Sequence, residues 1–369
     1  MKLLRIVATN YKNCEDNLTI DFVAKSKKTS EDKIYELYPI DEELYTFNTL
    51  ALVGKNASGK TTVIELIFIS LSILEDYKVH GVEYSYNNTQ LELYFHHDHM
   101  IYHYKCTINT INGEAVFSNE VLQAKKYYKT KANELFEGKF REVVFKGKLP
   151  NTISKVFYVL EGERKVSQYL PAYSFGEYNY SVIFDVLSKD NIGVSIFSKI
   201  VQLFDNNIKS LRFENNLFKV EYRDSSYELS NKELFNFLSS GTSRGIILFL
   251  TAVNCLKKGY DLIVDEIETH FHKTIVENLI ILFKDPYINK KGACLIFTTH
   301  QCELLDLFNR QDNIYITKAN EHIHLENMYD TYDIRPELLK SNQYYNNAFD
   351  TAVNYEDLMS LKKELIDTL

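Results

Sequence analysis

Residues 54–61 read Gly-Lys-Asn-Ala-Ser-Gly-Lys-Thr, a complete G-x-x-x-x-G-K-[ST] phosphate-binding loop. The loop follows an apolar run at 48–53 that predicts a buried strand, and it precedes a run at 62–71 that predicts a helix. Backbone N–H groups between Asn56 and Thr61 can then point into a bound anion, with the positive end of the helix dipole behind them. The stretch therefore predicts a nucleotide site in an α/β domain.

The residues of the loop have separate expected roles. We expect Lys60 to reach the β- and γ-phosphates of ATP and the Thr61 hydroxyl to ligate Mg²⁺. Glycine at two positions of the loop allows the tight turn and the close approach of backbone to phosphate. The predicted nucleotide-binding residues of this segment are Gly54, Asn56, Ala57, Ser58, Gly59, Lys60, Thr61 and Thr62.

A second motif indicates where a metal ion and an attacking water would be held. Residues 262–264 are apolar and are followed by Asp265 and Glu266, which is the pattern of a Walker B strand. Asp265 is predicted to complete the Mg²⁺ site with Thr61, and Glu266 is predicted to polarise the water. An acidic pair at a strand end is commonly a solvated edge, but the phosphate loop earlier in the chain favours the catalytic interpretation.

Two further elements follow the same order along the chain. The turn at 238–242 is rich in hydroxyl side chains and precedes an apolar helix at 243–254, so it could bind an anion or could be an ordinary helix cap. The apolar run from 294 ends in His300, which is either a structural residue or a sensor of the γ-phosphate. The residues of the turn that we predict to contact nucleotide are Ser239, Ser240 and Gly241.

The order of these four motifs resembles the ABC-ATPase clade that includes SMC and Rad-type repair proteins, RecF and the OLD-like ATPases. The opening segment 4–13 is similar to the first strand and turn of that clade, in which a basic residue, here Lys12, approaches the nucleotide. The segments 265–272 and 297–305 look most like the ATPase subunits of bacterial anti-phage systems of the abortive-infection, Septu and PARIS kinds. The resemblance does not extend to the middle of the chain, and Tyr344–Phe349 stands where those ATPases often have a glycine-rich tail.

The resemblance implies an ATP-hydrolysing, head-to-tail homodimer in which the 239–242 turn of one subunit covers the ATP held by Lys60 of the other. It implies Glu266, His300 and Lys60 as catalytic residues. It also implies a sensor or scaffold subunit of a defence system, with a nuclease or toxin as a separate effector chain, because the 69 residues after His300 are too few for the TOPRIM domain of OLD proteins. The alternatives are a RecF-like repair ATPase that binds DNA directly and a P-loop kinase for a small molecule.

Composition limits the remaining classes of protein. With 45% apolar residues in 369 positions, the chain can build a large core in one or two domains. No targeting segment is recognisable, and the longest apolar stretches are far shorter than the about 20 residues of a membrane span. Five cysteines without paired spacing indicate reduced thiols and a cytoplasmic protein. A net charge of −8 argues against a globally cationic nucleic-acid binder.

The expected fold is an α/β ABC-ATPase head, with a phosphate-loop mixed sheet, flanking helices and an antiparallel β subdomain, interrupted by a mainly helical insertion. Weak alternation over 82–118 and the Asn112-Gly113 dipeptide predict antiparallel strands joined by a hairpin turn. We predict four segments, namely the N-terminal half of the ATPase domain (1–119), the insertion or helical lobe (120–235), the C-terminal half (236–318) and a tail with a short amphipathic helix near its end (319–369).

Two local clusters have both a functional and an ordinary explanation. Four histidines between 96 and 103 are dense enough to suggest a metal site, but neighbours on a strand point to opposite faces, so a solvated turn is favoured. The stretch 125–148 carries eight basic and three acidic side chains with aromatic residues between them. We interpret it as a solvated helical face, and it is the best candidate in this chain for contact with nucleic acid or an acidic partner.

Overall fold

A computed structural model describes the chain at residues 1–80, 84–129, 134–163, 165–171, 193–215, 217–269, 271–335, 338–349 and 355–368. Its β-strands are β1 (Lys2–Thr9), β2 (Leu18–Asp21), β3 (Leu37–Asp41), β4 (Leu44–Phe47), β5 (Thr49–Val53), β6 (Thr89–His97), β7 (Met100–Ile111), β8 (Glu114–Lys126), β9 (Arg141–Glu142), β10 (Gln168–Leu170), β11 (Ile208–Glu214), β12 (Leu217–Tyr222), β13 (Ser225–Leu229), β14 (Leu262–Val264), β15 (Leu295–Thr299), β16 (Ile314–Ala319) and β17 (Ile323–Asn327).

The helices of the described residues are distributed along the whole chain, and a 3₁₀ helix at Cys302–Leu307 follows β15. The α-helices are α1 (Ser30–Tyr35), α2 (Lys60–Glu75), α3 (Phe157–Leu160), α4 (Val194–Phe204), α5 (Asn231–Phe237), α6 (Ser240–Lys258), α7 (Lys273–Lys284), α8 (Met328–Thr331), α9 (Lys340–Tyr345) and α10 (Tyr355–Thr368).

A mixed sheet with the strand order β10-β14-β15-β5-β16-β17 forms the centre of the fold. All its neighbours pair in parallel except β16 and β17. The five residues of β5 are all buried, as expected for a parallel strand that is covered on both faces. The predicted strand before the phosphate loop is therefore confirmed, and its neighbours β15 and β16 come from the other end of the chain.

Alternate residues of β5 belong to two different hydrophobic cores. Leu50 and Leu52 pack with the phosphate-loop helix α2 and with an antiparallel sheet of order β2-β1-β6-β7-β8-β9. Ala51 and Val53 pack with residues of α4, α6, α7 and the small sheet β11-β12-β13. Because successive side chains of a strand point to opposite faces, one short strand fixes both layers around the site. Helix α2 is apolar on almost all sides because it lies between two sheets.

The predicted antiparallel strands over 82–118 are confirmed for the described residues. Strands β7 and β8 pair in antiparallel register, and the Asn112-Gly113 turn that joins them has positive φ angles of 53° and 81°. Two positive φ angles at the centre of a two-residue hairpin loop are the geometry that this dipeptide favours. The antiparallel sheet covers α2 from the side opposite the mixed sheet.

The prediction of a mainly helical segment over 120–235 is wrong for its described residues. The segment contains the end of β8, the edge strand β10 of the mixed sheet and the sheet β11-β12-β13, beside α3, α4 and α5. The apolar residues of β11 and β12 alternate with charged ones, which is strand periodicity in a charged sequence. Part of the predicted segment, residues 172–192, lies outside the described residues.

Other predicted boundaries also fall inside elements. The boundary at 119/120 lies within β8, the boundary at 235/236 lies within α5, and the segment from 319 contributes β17 to the mixed sheet. The predicted C-terminal amphipathic helix is present as α10, apart from residue 369, which is outside the described residues. Over 125–148 the described residues form the end of β8, β9 and connecting segments, so the predicted helical face is wrong there, and Lys131 is not described.

None of the described helices is both long enough and apolar enough to cross a membrane. The five cysteines are free and buried.

The C-terminal residue of α2 predicts a pH-dependent stability. Glu75 accepts hydrogen bonds from the N–H and Oγ of Ser167 (2.7 and 2.9 Å), and burial raises its pKa to about 7 from an ordinary value of 4.5. Between these two values the folded chain binds more protons than the unfolded chain, so the free energy of unfolding falls as the pH rises. The loss is at most about 3 kcal/mol at 1.36 kcal/mol per pH unit.

We expect Glu75→Gln to remove most of this slope, because a neutral amide cannot ionise. Urea unfolding at about pH 5 and about pH 8 measures it, with stability relative to wild type increasing at the higher pH. Parallel pH profiles of the two proteins would contradict the assignment.

Candidate nucleotide site

The phosphate loop joins the end of β5 to the start of α2. Gly59 caps the helix with a φ of +94°, in the left-handed region that suits glycine, and Ala57 also has a positive φ of 60°. The first helical N–H bond is donated by Val63 to the carbonyl oxygen of Gly59 (3.0 Å). The N–H groups of the residues just before Val63 precede this bond and stand at the positive end of the helix dipole.

Strands β16 and β17, from the C-terminal part of the chain, pack against the phosphate loop. The Ser58 and Thr317 hydroxyls are 2.5 Å apart, and Thr317 donates to the Val53 carbonyl oxygen (3.2 Å). A Cβ added at Gly54 would lie 2.4 Å from the Thr317 hydroxyl, and one at Gly59 would lie 2.6 Å from the Ile323 side chain. Both glycines are therefore required by close packing against β16 and β17, and Gly59 also by its left-handed conformation. No motif in the sequence indicates this role of Thr317.

The Lys60 side chain lies back along its own loop. Its ammonium group donates to the carbonyl oxygens of Gly54 and Lys55, each at 3.0 Å, and lies 3.4 Å from Nδ1 of His300. Burial lowers the pKa of Lys60, and the carboxylates of Asp265, Glu266 and Glu268 act in the opposite direction. The loop thus holds a cation at its centre, surrounded by groups of the second half of the chain.

Asp265 connects the two halves of the site. Its carboxylate accepts a hydrogen bond from the Thr61 hydroxyl (2.9 Å) and a second from the Thr298 hydroxyl (2.6 Å). It is buried at the end of β14, with 2% of its surface exposed. The predicted pair of magnesium ligands, Thr61 and Asp265, is therefore brought together in the folded chain. An oxygen pair of this kind fits Mg²⁺, which is held in nucleotide sites by one or two protein oxygens with phosphates and water.

Glu266 follows Asp265 with an unusual backbone conformation. Its φ is +52°, which costs a non-glycine residue roughly 1–2 kcal/mol. Its N–H donates to the Thr298 hydroxyl (2.6 Å), and one carboxylate oxygen accepts from the Thr269 hydroxyl (3.2 Å). The conformation turns Glu266 away from the β14 strand direction, and its side chain is 40% exposed. A strained, well-supported carboxylate next to the aspartate that is predicted to bind Mg²⁺ is consistent with the predicted catalytic role.

His300 lies between the two ends of the site. Its Nδ1 is 3.4 Å from the Lys60 ammonium and its Nε2 is 3.8 Å from a carboxylate oxygen of Glu266. Because Lys60 can only donate, Nδ1 is the acceptor of any hydrogen bond between the two side chains, and Nε2 is the ring nitrogen that faces Glu266. The His300 N–H also donates to Glu268 (2.5 Å), which fixes the start of the segment after β15. The three predicted catalytic residues therefore lie together.

Sequence reasoning missed Thr298, although its position was visible. The Thr298 hydroxyl donates to the Asp265 carboxylate and accepts from the Glu266 N–H, so one buried group orders the Asp265 side chain and the Glu266 backbone. The signal was the pair of threonines before His300, because hydroxyl side chains are unusual in an otherwise apolar buried strand. Glu268 was missed in the same way, inside the acidic run that follows Asp265.

The hydroxyl-rich turn forms the N-terminus of α6. The helix begins at Ser240, earlier than the predicted start at 243, and Ser239 caps it by accepting from the Thr242 N–H (3.1 Å). The Ser239 and Thr242 hydroxyls are 2.8 Å apart, so the described side-chain hydrogen bonds of Ser239 stay within the turn. The folded chain does not join Ser239, Ser240 or Gly241 to the phosphate loop through a described hydrogen bond, and their nucleotide role stays a prediction.

Lys12 lies beside the phosphate-loop helix rather than on the loop itself. Its φ is +48°, and its ammonium group forms an ion pair with Glu65 of α2. The rings of Tyr11 and Tyr84 lie 5.7 and 5.6 Å from the same nitrogen. The predicted contact of Lys12 with nucleotide would therefore require the ion pair with Glu65 to open.

Comparison with known proteins is consistent with this geometry. Residues 148–306 match a family described as "AAA domain, putative AbiEii toxin, Type IV TA system", and none of the curated proteins matches the chain. The matched part includes Asp265, Glu266 and His300 but begins after the phosphate loop.

Two solved structures match the chain over most of its length. The SMC head domain from Thermotoga maritima is 14% identical, with a TM-score of 0.43, covering 89% of this chain and 99% of that one. An SMC head bound to the C-terminal winged-helix domain of ScpA is 12% identical, with a TM-score of 0.49, covering 88% and 97%. At these values the two heads add no argument about function. Residues 148–306 are therefore similar to the AAA family so described, and a complete phosphate loop precedes them at 54–61.

Proposed function

We propose that the chain binds ATP with Mg²⁺ and hydrolyses it by the ABC-type mechanism. The observation that carries the proposal is the hydrogen bond from Thr61 to Asp265 (2.9 Å), which unites the phosphate loop with the Walker B strand across most of the sequence. Lys60, Glu266 and His300 lie around this hydrogen bond. The donors for phosphate and the acceptor for water are therefore at the same end of the mixed sheet.

The residues would divide the reaction between them. Lys60 would leave the carbonyl oxygens of its loop and bind the β- and γ-phosphates, while the α2 N-terminus holds their oxygens. Glu266 would accept a hydrogen bond from the attacking water and orient it, and His300 would contact the γ-phosphate. Thr61 and Asp265 would hold Mg²⁺, which neutralises phosphate charge when bound. The Thr298 hydroxyl would hold Asp265 and Glu266 in fixed positions relative to each other.

We further propose that two copies associate head to tail around ATP. The α6 N-terminus, with Ser239, Ser240 and Gly241, offers N–H groups and a favourable dipole to an anion. Since the described hydrogen bonds of Ser239 are confined to its own turn, the anion would be the γ-phosphate held by the partner's loop. ATP would then hold the dimer together, and hydrolysis would release it.

Lys60→Ala tests nucleotide binding itself. We expect Mg²⁺-ATP binding to weaken by about 10²-fold or more, because a charge-assisted contact with phosphate contributes on the order of 3 kcal/mol at a partly buried site. Isothermal titration calorimetry measures the affinity. Lys55→Ala is the matched control, since Lys55 lies in the same loop with an exposed side chain. Equal affinities of Lys60→Ala and wild type would overturn the phosphate-loop assignment.

The cellular role we propose is the ATPase subunit of an anti-phage system with a separate effector chain. The description of the matched family, which names a toxin and a type IV toxin–antitoxin system, and the motif resemblance of 265–272 and 297–305 support it. Purification from the native operon, with identification of the chain that stays bound, tests it. A preparation that contains no second protein and protects no cells from phage would contradict it.

A DNA-repair ATPase of the RecF kind is the second candidate. The observation in its favour is the exposure of the basic residues after β8, namely Lys126, Lys129, Lys139, Arg141, Lys146 and Lys148. Lys125 differs from these, because it donates to the Glu137 carbonyl oxygen and lies over the Phe140 ring. A gel shift with gapped duplex DNA separates the two candidates, and the DNA-repair role requires binding that weakens with salt.

A further inference from the structure

Two hairpin turns from different sheets meet at the end of the antiparallel sheet where β6 and β7 are joined. One is the turn between β3 and β4, which begins at Asp41, and the other is the turn between β6 and β7, at His97–Met100. Asp98 and His99 at the centre of the second turn have positive φ angles of 47° and 59°. This type I′ geometry usually takes Asn and Gly, so it holds His99 in a position that is unfavourable for its own backbone.

The turns bring three possible metal ligands to one point. Nε2 of His96 and Nδ1 of His99 each lie 2.8 Å from the same oxygen, Oδ2 of Asp41. The three ligand atoms lie within 4.8 Å of one another, and no other set of this kind occurs among the residues that the structure describes. The sequence favoured a solvated turn at the histidines because neighbouring residues of a strand point to opposite faces. The fold supplies the converging carboxylate.

Surrounding groups fix this arrangement. The Glu42 N–H donates to the other carboxylate oxygen of Asp41 (2.8 Å), which leaves Oδ2 directed at the histidines. Tyr127, just after β8, donates its N–H to the His99 carbonyl oxygen (2.8 Å) and its hydroxyl to the Glu42 carbonyl oxygen (2.7 Å). Its ring also contacts the His96 ring edge to face, with 6.2 Å between centroids. One tyrosine therefore ties the two turns together, as outer groups do around metal sites.

We propose that Asp41, His96 and His99 bind a divalent transition-metal ion of the zinc class. Two imidazole nitrogens and one carboxylate oxygen are ligands that Zn²⁺ accepts, whereas Mg²⁺ and Ca²⁺ prefer oxygen alone. His99 is 78% exposed, so a water or a partner's side chain could complete a tetrahedral shell from the solvent side. The five cysteines are buried and offer no competing exposed thiol.

Metal binding would require a local shift of the two rings. A tetrahedral centre about 2.0–2.1 Å from each atom separates the ligands by roughly 3.4 Å, so each histidine would withdraw by about 0.5 Å from Asp41. The two ring nitrogens, which lie within 4.8 Å of each other, would adopt the same separation. The ion would replace two hydrogen bonds by three metal–ligand bonds and clamp the β3–β4 turn to the β6–β7 turn. The ion would act at the β6–β7 end of the antiparallel sheet, and none of its proposed ligands is a proposed nucleotide-binding residue.

Zinc titration of the full chain in excess Mg²⁺, without nucleotide, tests the proposal. We expect one zinc ion per chain and an increase in melting temperature with zinc concentration. Asp41→Asn and His99→Asn should each weaken zinc binding at least tenfold and remove the thermal shift. Asparagine tolerates a positive φ, so His99→Asn preserves the turn.

His97→Asn is the matched control, because His97 lies in the same turn but its ring contacts Asp98 and Glu163 instead. It should bind zinc as wild type does. Co²⁺ provides an independent readout, since a tetrahedral nitrogen and oxygen shell gives visible absorption that Asp41→Asn should lose. Zinc affinity that is the same in wild type, Asp41→Asn and His99→Asn would overturn the site, as would the absence of zinc binding to wild type.

Discussion

Glu266→Gln protein is expected to bind Mg²⁺-ATP with wild-type affinity and to hydrolyse it at least about 10²-fold more slowly. The substitution keeps the shape of the side chain and leaves the Thr61 and Asp265 oxygens in place, but a neutral amide is a weaker acceptor than a carboxylate and cannot take a proton from the water. Glutamine tolerates the φ of +52° about as well as glutamate does, so the backbone support from Thr298 is retained.

Steady-state phosphate release and calorimetric ATP affinity, measured on the same preparation, separate these two effects. Glu277→Gln is the control, because Glu277 is a surface residue of α7 that pairs with Lys273. We also expect Glu266→Gln to accumulate an ATP-bound dimer in size-exclusion chromatography. Wild-type turnover in the Glu266→Gln protein would remove Glu266 from the mechanism.

Ser239→Arg protein is expected to retain ATP binding at its own phosphate loop and to lose hydrolysis. In the proposed dimer, a large side chain at the α6 N-terminus would block its approach to the γ-phosphate of the partner's ATP. Mixing Ser239→Arg with the equally inactive Lys60→Ala should restore activity, because one of the two sites in each mixed dimer combines two unaltered halves. Random exchange gives about a quarter of the wild-type sites.

A second variant separates this effect from loss of stability. Ser239 caps α6, and losing the cap costs about 1 kcal/mol, whereas aspartate caps a helix as well as serine does. Ser239→Asp should therefore fold normally and still be inactive, since its carboxylate would face phosphate. Full activity of Ser239→Asp, or no recovery in the mixture after subunit exchange, would argue for a mechanism within one chain.

The strand, loop and helix of the phosphate site could be predicted from sequence because each signal is local. An apolar run, two glycines at fixed spacing and a second apolar run suffice to define β5 and α2. The proximity of Lys60, Asp265 and His300 could be predicted because the order of the motifs resembles that of ATPases in which these motifs form one site. The trans role of Ser239 depends on a second copy of the chain, so neither the sequence nor the fold of one copy decides it.

Other features depend on contacts that no local pattern contains. The small sheet β11-β12-β13 was missed because its apolar residues are separated by charged ones, and a short amphipathic strand of this kind is easily taken for a helix. Asp41 could not be associated with His96 and His99, because only the meeting of two hairpins brings them together. Thr298 and Thr317 act by hydrogen bonds to residues that are distant in sequence, namely Asp265 for Thr298 and Ser58 for Thr317.

The position of β5 has a consequence for synthesis of the protein. Both strands that flank β5 are made late, and Asn313, which hydrogen-bonds to Thr49, follows it by 264 residues. At ribosomal rates, the two edges of this fully buried strand would remain unpaired for on the order of 10–50 s. An unpaired apolar strand is an aggregation hazard. The nascent N-terminal half should therefore depend on chaperones until β16 has emerged, and a genetic split between the two halves would expose the same surface permanently.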